Sequence, residues 1–195
     1  MNGGRAENLW PTLKVWGTEF SNSLARLEVT GGNGARLDTE AGGAALTEML
    51  SSVGAAGGTV YLVGNGGSAA VCAHIANDMI NMCRLRASTL HEPSMLTCLA
   101  NDYGYEAAYG RVVDTLCRPG DLLIAISSSG RSPNIHGAVA KARDRDGQVI
   151  TLSGFAPDNP LRRMGNLNFW IPSSDYGLVE IGHLFILHHA TNQVR

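Results

Sequence analysis

Charge is sparse in this sequence and almost cancels: 15 Lys and Arg against 17 Asp and Glu leave a net charge of −2. A chain with so little basic excess offers no broad surface for nucleic acid or anionic membranes, although a small local anion site remains compatible with it. Long apolar runs are missing too. No charge-free apolar run reaches the roughly 20 residues needed to span a bilayer. The opening MNGGRAENLWPTLKVWG has no apolar core of the kind a signal peptide carries, so a cytoplasmic location is expected. Cysteine is scarce. Cys72, Cys83, Cys98 and Cys117 form no C-x-x-C pair, which argues against a cysteine zinc site and for free buried thiols. Aromatics make up only 6% of the 195 residues, whereas glycine is plentiful at 24. A chain of this length can bury one good core.

Leu9, Trp10, Leu13, Trp16, Phe20, Leu24 and Leu27 recur at helical spacing, and Pro11 suits a first turn. They predict a helix over 8–30, broken by GGNG at 31–34. Asp38 or Thr39 would cap a second helix running to about residue 55, with Leu46, Met49 and Leu50 on its apolar side. Beyond Gly57-Gly58 the pattern changes. Val60–Val63 reads as a short buried strand that enters Gly64-Asn65-Gly66-Gly67-Ser68 and then a helix over 69–83. Residues 94–99 (SMLTCL) form the second apolar segment of the series, and Asp121–Ile126 a third strand ending in Ser127-Ser128-Ser129-Gly130-Arg131-Ser132. A helix over 134–146, strands at 149–152 and 169–171, and a helix over 178–193 follow. Strands alternating with helices imply a doubly wound parallel sheet with helices on both faces. The expected organisation is one domain over 1–195: an N-terminal helical hairpin (8–55) joined to an α/β core (58–193).

The two turns rich in glycine and serine follow strands and open helices. In a parallel sheet such turns lie at the ligand-binding edge, and a helix start presents unpaired N–H groups that suit a phosphate. Ser127–Ser132 therefore reads either as a phosphate cradle or as a serine-rich cap and turn. The Gly64–Ser68 turn has neither the G-x-G-x-x-G spacing of a dinucleotide fold nor the Gly-Lys-Ser/Thr of a P-loop. His74 and Asp78, at i and i+4, share a helix face. Glu180 and His188 lie eight apart on the last helix, which also carries His183 and His189. Two histidines and two carboxylates from two helices suit a divalent metal, zinc especially. Taken singly, each reads as well as an ion pair or a surface histidine.

In combination, GNGGS with a histidine-bearing helix behind it, NDYGYE, SSSGRS after a strand, and the C-terminal helix with His188 resemble the sugar isomerase (SIS) domain family, and within it the phosphoheptose isomerases. The likeness runs from about residue 8 to 193. It implies a sheet between helix layers, a homotetramer with sites between subunits, and conversion of sedoheptulose 7-phosphate to a heptose phosphate for surface glycan precursors. It further implies that Asn65, Gly66, Gly67, Ser68 and Asp102 line the sugar site, and that Ser127, Ser128, Ser129 and Ser132 hold the phosphate. His74, Asp78, Glu180 and His188 would bind zinc, with Asp78, Glu180 and His188 serving as acid and base.

Three positions depart from that pattern. Asp78 stands where the family has glutamate, Glu180 where it has glutamine, and Gly177 where it has an acid. The expected chemistry is aldose–ketose isomerisation through an enediol, with Asp78 or Glu180 as base and His188 as the partner acid. An isomerase of another ketose phosphate and a non-catalytic phosphosugar-binding module are the alternatives. The retained histidines and carboxylates favour the enzyme.

Overall fold

The computed structural model describes residues 12–194. Among these residues seven strands form one sheet in the order β2-β1-β7-β6-β5-β3-β4: β1 (Glu28–Gly31), β2 (Arg36–Leu37), β3 (Thr59–Val63), β4 (Arg86–Thr89), β5 (Leu122–Ser127), β6 (Gln148–Ser153) and β7 (Leu167–Trp170). The run β4-β3-β5-β6-β7 is parallel, while β1 joins β7 and β2 antiparallel. The helices are α1 (Leu13–Ala25), α2 (Thr39–Ala55), α3 (Gly67–Asn81), α4 (Pro93–Tyr103), α5 (Tyr105–Leu116), α6 (Pro133–Asp144) and α7 (Tyr176–Gln193). None of the described helices is long and apolar enough to cross a membrane.

Strand alternation divides the core in two. Val60, Leu62, Leu122, Ile124 and Ile126 face a layer that includes Leu46 and Leu50 of α2, Ile75 and Met79 of α3, and Leu187 of α7. Val63, Leu123 and Ala125 face Tyr109 and Val113 of α5 with Ile135 and Val139 of α6. Both faces are therefore covered, which is why β5 is buried along its whole length. The doubly wound sheet expected from the alternating pattern is present.

The N-terminal part differs from a simple helical hairpin. The first helix ends at Ala25 rather than 30, and residues 28–37 form a strand pair that adds an antiparallel edge to the sheet. The β-branched Val29-Thr30 and the turn at Gly34 (φ +79°) explain the switch: Val29 is fully buried, and the turn lets the chain reverse. Leu9, Trp10 and Pro11 of the expected helix lie outside the described residues. Asp38 caps α2 as expected, its carboxylate accepting from the Ala41 N–H at 2.7 Å.

The segment 94–99 is not a strand but the body of α4; Pro93 opens it, and the Glu92 carboxylate accepts from the Met95 N–H at 2.8 Å. The strand lies earlier, at β4, a short edge with charge and hydroxyls that leave no apolar signature. No disulfide forms among the four cysteines, as expected, but only Cys72 and Cys117 are buried; Cys83 is half-buried and Cys98 exposed on α4.

Candidate active site

Two helix starts meet at the carboxyl edge of the sheet. Thr12, Asp38, Glu92 and Asp175 each cap their helix with a side chain, whereas the caps of α3 (Gly66) and α6 (Ser132) make no such bond. The starts of α3 and α6, unlike that of α5, whose Gly104 cap also makes no side-chain bond, border one pocket of about 130 Å³, lined by Asn65, Ser68, Ile126, Ser127, Ser128, Ser129, Ser132, Tyr176 and Glu180. Uncapped helix starts leave N–H groups and positive dipole ends facing the pocket.

The serine loop is held rigidly from behind. Gly130 has φ +63°, and a Cβ there would collide with the fully buried Asn159, so the loop requires glycine at its sharpest point. The Asn159 amide donates to the carbonyls of Gly154 and Ala156, and the His136 Nε2–H donates to the Gly130 carbonyl at 2.9 Å. Ser127 and Ser132 share a hydroxyl hydrogen bond at 3.1 Å. Ser128 is different: its hydroxyl oxygen is buried and has no hydrogen-bond partner among the described residues. A buried hydroxyl left unpaired is costly for a fold, and Ser128 is one of the residues that line the pocket.

A second cluster lies further along the same pair of helices. The Asp78 Oδ2 atom is 3.6 Å from His74 Nε2 and 3.2 Å from His188 Nδ1, and the two imidazoles meet edge to face with centroids 4.9 Å apart. Ligand atoms of all three residues lie within 4.8 Å of one another, a spacing that one metal ion can bridge. Asp78 is buried and His74 exposed, so the cluster opens to solvent on one side.

Glu180 is not part of that cluster. It lines the serine pocket two turns before His188, about 12 Å along the helix at 1.5 Å per residue. Its carboxylate packs on Gly67, where any Cβ would strike it, so the third glycine of the turn is the room that Glu180 occupies. Of the four expected metal ligands the structure thus brings together His74, Asp78 and His188. Asp102 also stands apart: it lies exposed on α4, accepting from Asn101 Nδ2 at 3.0 Å, and does not line the pocket.

Gly177 has a steric reason. A Cβ there would lie 2.9 Å from the Trp16 ring of α1, so the aromatic stripe of the first helix covers the position. Phe20 of the same stripe packs edge-on against Phe185 of α7 at 6.1 Å. Sequence reasoning missed Tyr176, which lines the pocket, and the buried Asn134, which pairs with Asn65 across the two turns. Only the proline-opened helix start Ser132-Pro133-Asn134 hinted at the latter.

The doubly wound sheet and its serine-lined edge define the class. Residues 38–154 match the SIS domain family. The phosphoheptose isomerase of Geobacter sulfurreducens is 34% identical over 151 residues, covering 74% of this chain and 79% of that protein. That of Thiobacillus denitrificans is 37% identical over 144 residues, covering 69% and 72%. The solved structure of phosphoheptose isomerase from Neisseria gonorrhoeae superposes with a TM-score of 0.78 at 26% identity, covering 93% of this chain and 98% of that one. The chain belongs to the phosphoheptose isomerase family of SIS-domain proteins.

Proposed function

We propose that the protein is an aldose–ketose isomerase acting on sedoheptulose 7-phosphate, supplying heptose phosphate for surface glycan precursors. The observation that carries this reading is the pairing, along α3 and α7, of an oxyanion-type pocket containing the orphaned Ser128 hydroxyl with a cluster of proton-handling side chains. The phosphate sits among Ser127, Ser128, Ser129 and Ser132 and the starts of α3 and α6. Asn65, which lines the serine pocket, borders both phosphate and sugar, and Gly66, Gly67 and Ser68 border the sugar. The reacting carbons lie toward Asp78 and His188, a separation on the scale of an open sugar phosphate chain.

In the reaction a base takes a proton from carbon 1 of the ketose, the C–H electrons form the C1–C2 double bond, and the carbonyl oxygen is protonated to give the enediol. Return of a proton to carbon 2, with loss of the proton from the carbon-1 hydroxyl, yields the aldose. Both imidazoles approach the same Asp78 oxygen, Oδ2, which leaves Oδ1 to act as the base. The His188 Nδ1 faces Asp78, so its Nε2 edge carries protons to and from the sugar oxygens. Glu180, beside the phosphate end, accepts from a sugar hydroxyl.

The imidazole, imidazole and carboxylate set fits zinc, which His74, Asp78 and His188 would hold. When bound, the metal supplies an electrophile for the two sugar oxygens. We further propose a cytoplasmic protein forming one SIS unit over 1–195, assembled as a homotetramer with sites between subunits. Leu13 and Val15 of α1 and Tyr176, Ile181 and Phe185 of α7 are exposed apolar side chains that support such an assembly. The outward placement of Asp102 supports its use at a neighbouring subunit's site.

Turnover of a panel of ketose phosphates, with and without zinc, tests the proposal. Sedoheptulose 7-phosphate should be converted fastest, and chelation should stop conversion. Binding of sugar phosphate without turnover of any member would replace the enzyme by a binding module.

A further inference from the structure

The two ligand-facing turns are tied together by side-chain amides. The Asn65 Nδ2 donates to Asn134 Oδ1 at 3.0 Å, and Asn134 Nδ2 returns a bond to Asn65 Oδ1 at 2.9 Å. The orientation of Asn134 is set independently, because its Oδ1 also accepts from the Ile135 N–H at 3.0 Å in the first turn of α6. Asn134 is 2% exposed, so solvent offers no alternative partner. From α5 the Tyr105 hydroxyl donates to Asn65 Oδ1 at 2.7 Å. Beneath it, the buried Tyr109 hydroxyl donates to the Gly64 carbonyl at 2.9 Å, fixing the backbone of the same turn.

The hydrogen-bonding capacity of Asn65 follows from this. A carboxamide oxygen has two acceptor positions and the nitrogen two protons. Asn134 and Tyr105 use both acceptor positions, and Asn134 takes one proton. What remains of Asn65, which borders the serine pocket, is a single N–H. A free carboxamide presents its oxygen or its nitrogen with equal ease, and the oxygen would repel an oxyanion. We propose that Asn134 and Tyr105 are positioning residues that hold Asn65 as a hydrogen-bond donor to the oxyanion in the serine pocket. This rests on the reading of that pocket as a phosphate site. It also gives the second tyrosine of NDYGYE, Tyr105, a role: it does not touch the phosphate but sets the polarity of the group that does.

The test uses the full-length protein, with inorganic phosphate as a probe of the pocket and sedoheptulose 7-phosphate as substrate. Tyr105→Phe removes only the hydroxyl of a half-exposed ring, so the fold is kept, and a thermal melt checks it. The expected result is phosphate binding weakened about three- to ten-fold, the worth of one neutral hydrogen bond, with KM raised similarly and kcat within about twofold. In an Asn65→Ala background, Tyr105→Phe should have no further effect on phosphate affinity, because its influence passes through Asn65. Wild-type phosphate affinity in Tyr105→Phe, or an equal loss with and without Asn65, overturns the inference alone. Failure of the wild-type protein to bind inorganic phosphate overturns the pocket reading and the inference with it.

Discussion

Replacing Ser128 by alanine separates the needs of the fold from those of the ligand. Its hydroxyl is buried and unpartnered, and the residue is only 5% exposed. An unsatisfied buried hydroxyl costs about 1–3 kcal/mol, and alanine fits the same space without it. The unliganded Ser128→Ala protein should therefore be more stable, its melting temperature higher by a few degrees for a chain of this size. The liganded state changes in the opposite direction. A hydroxyl donor to a charged phosphate contributes about 1.5–3 kcal/mol, so affinity for sedoheptulose 7-phosphate should fall about 10- to 150-fold. Ser127→Ala is the contrast, because the Ser127 hydroxyl already pairs with Ser132 at 3.1 Å and its loss should lower both stability and affinity. Thermal melts and calorimetry on the two variants measure these signs. If Ser128→Ala binds sugar phosphate as tightly as wild type, or is destabilised like Ser127→Ala, the orphaned hydroxyl is not a ligand group and the reasoning fails.

Other consequences follow from single contacts. His183 is fully buried, and desolvation pushes its pKa down to about 4 from 6.5 while its Nε2–H donates to the Ser153 carbonyl. The unfolded chain therefore takes up a proton that the fold refuses as pH drops from 6.5 to about 4. Stability is complete above that window and declines through it, by about 3 kcal/mol in all; His183→Gln should flatten that part of the pH profile in urea unfolding. Gly67→Ala drives a methyl into the Glu180 carboxylate and should cost about 1–3 kcal/mol, read by denaturant melts and relieved when Glu180 is also shortened to alanine. His188→Gln breaks the three-residue cluster and should abolish zinc binding, measured by metal analysis, together with turnover, while leaving phosphate affinity near wild type. Light scattering at micromolar concentration should give the mass of a tetramer; a monomer would leave the exposed face of α1 and α7 unexplained.

The legible parts of the fold were those whose pattern is local. The buried run of β5 and the glycine- and serine-rich turns announce themselves, because a strand covered on both faces must be apolar throughout. The strand pair at 28–37 was hidden: the helical spacing of Leu24 and Leu27 runs straight into it, and only its pairing with β7 decides its conformation. In β4, Arg86 and Ser88 alternate with half-buried residues on an edge, which resembles a loop in sequence. The site divides in the same way. His74 and Asp78 are one helical turn apart and could be paired by counting, and His188 joins them as its place on α7 suggested. Glu180 was grouped with them because residues eight apart share a helix face. That spacing also separates them by two turns, enough to put Glu180 against Gly67 at the other end of the α3–α7 contact. The Asn65–Asn134 pair joins residues 69 apart in sequence, and no local pattern reports it.

Proton NMR of sedoheptulose 7-phosphate incubated with the zinc-supplemented protein tests the central claim most directly. The account predicts that ketose signals decline while aldose anomeric signals grow, and that His188→Gln leaves the spectrum unchanged. A ketose spectrum that stays constant with the wild-type protein, under conditions where calorimetry shows the sugar phosphate bound, would contradict it.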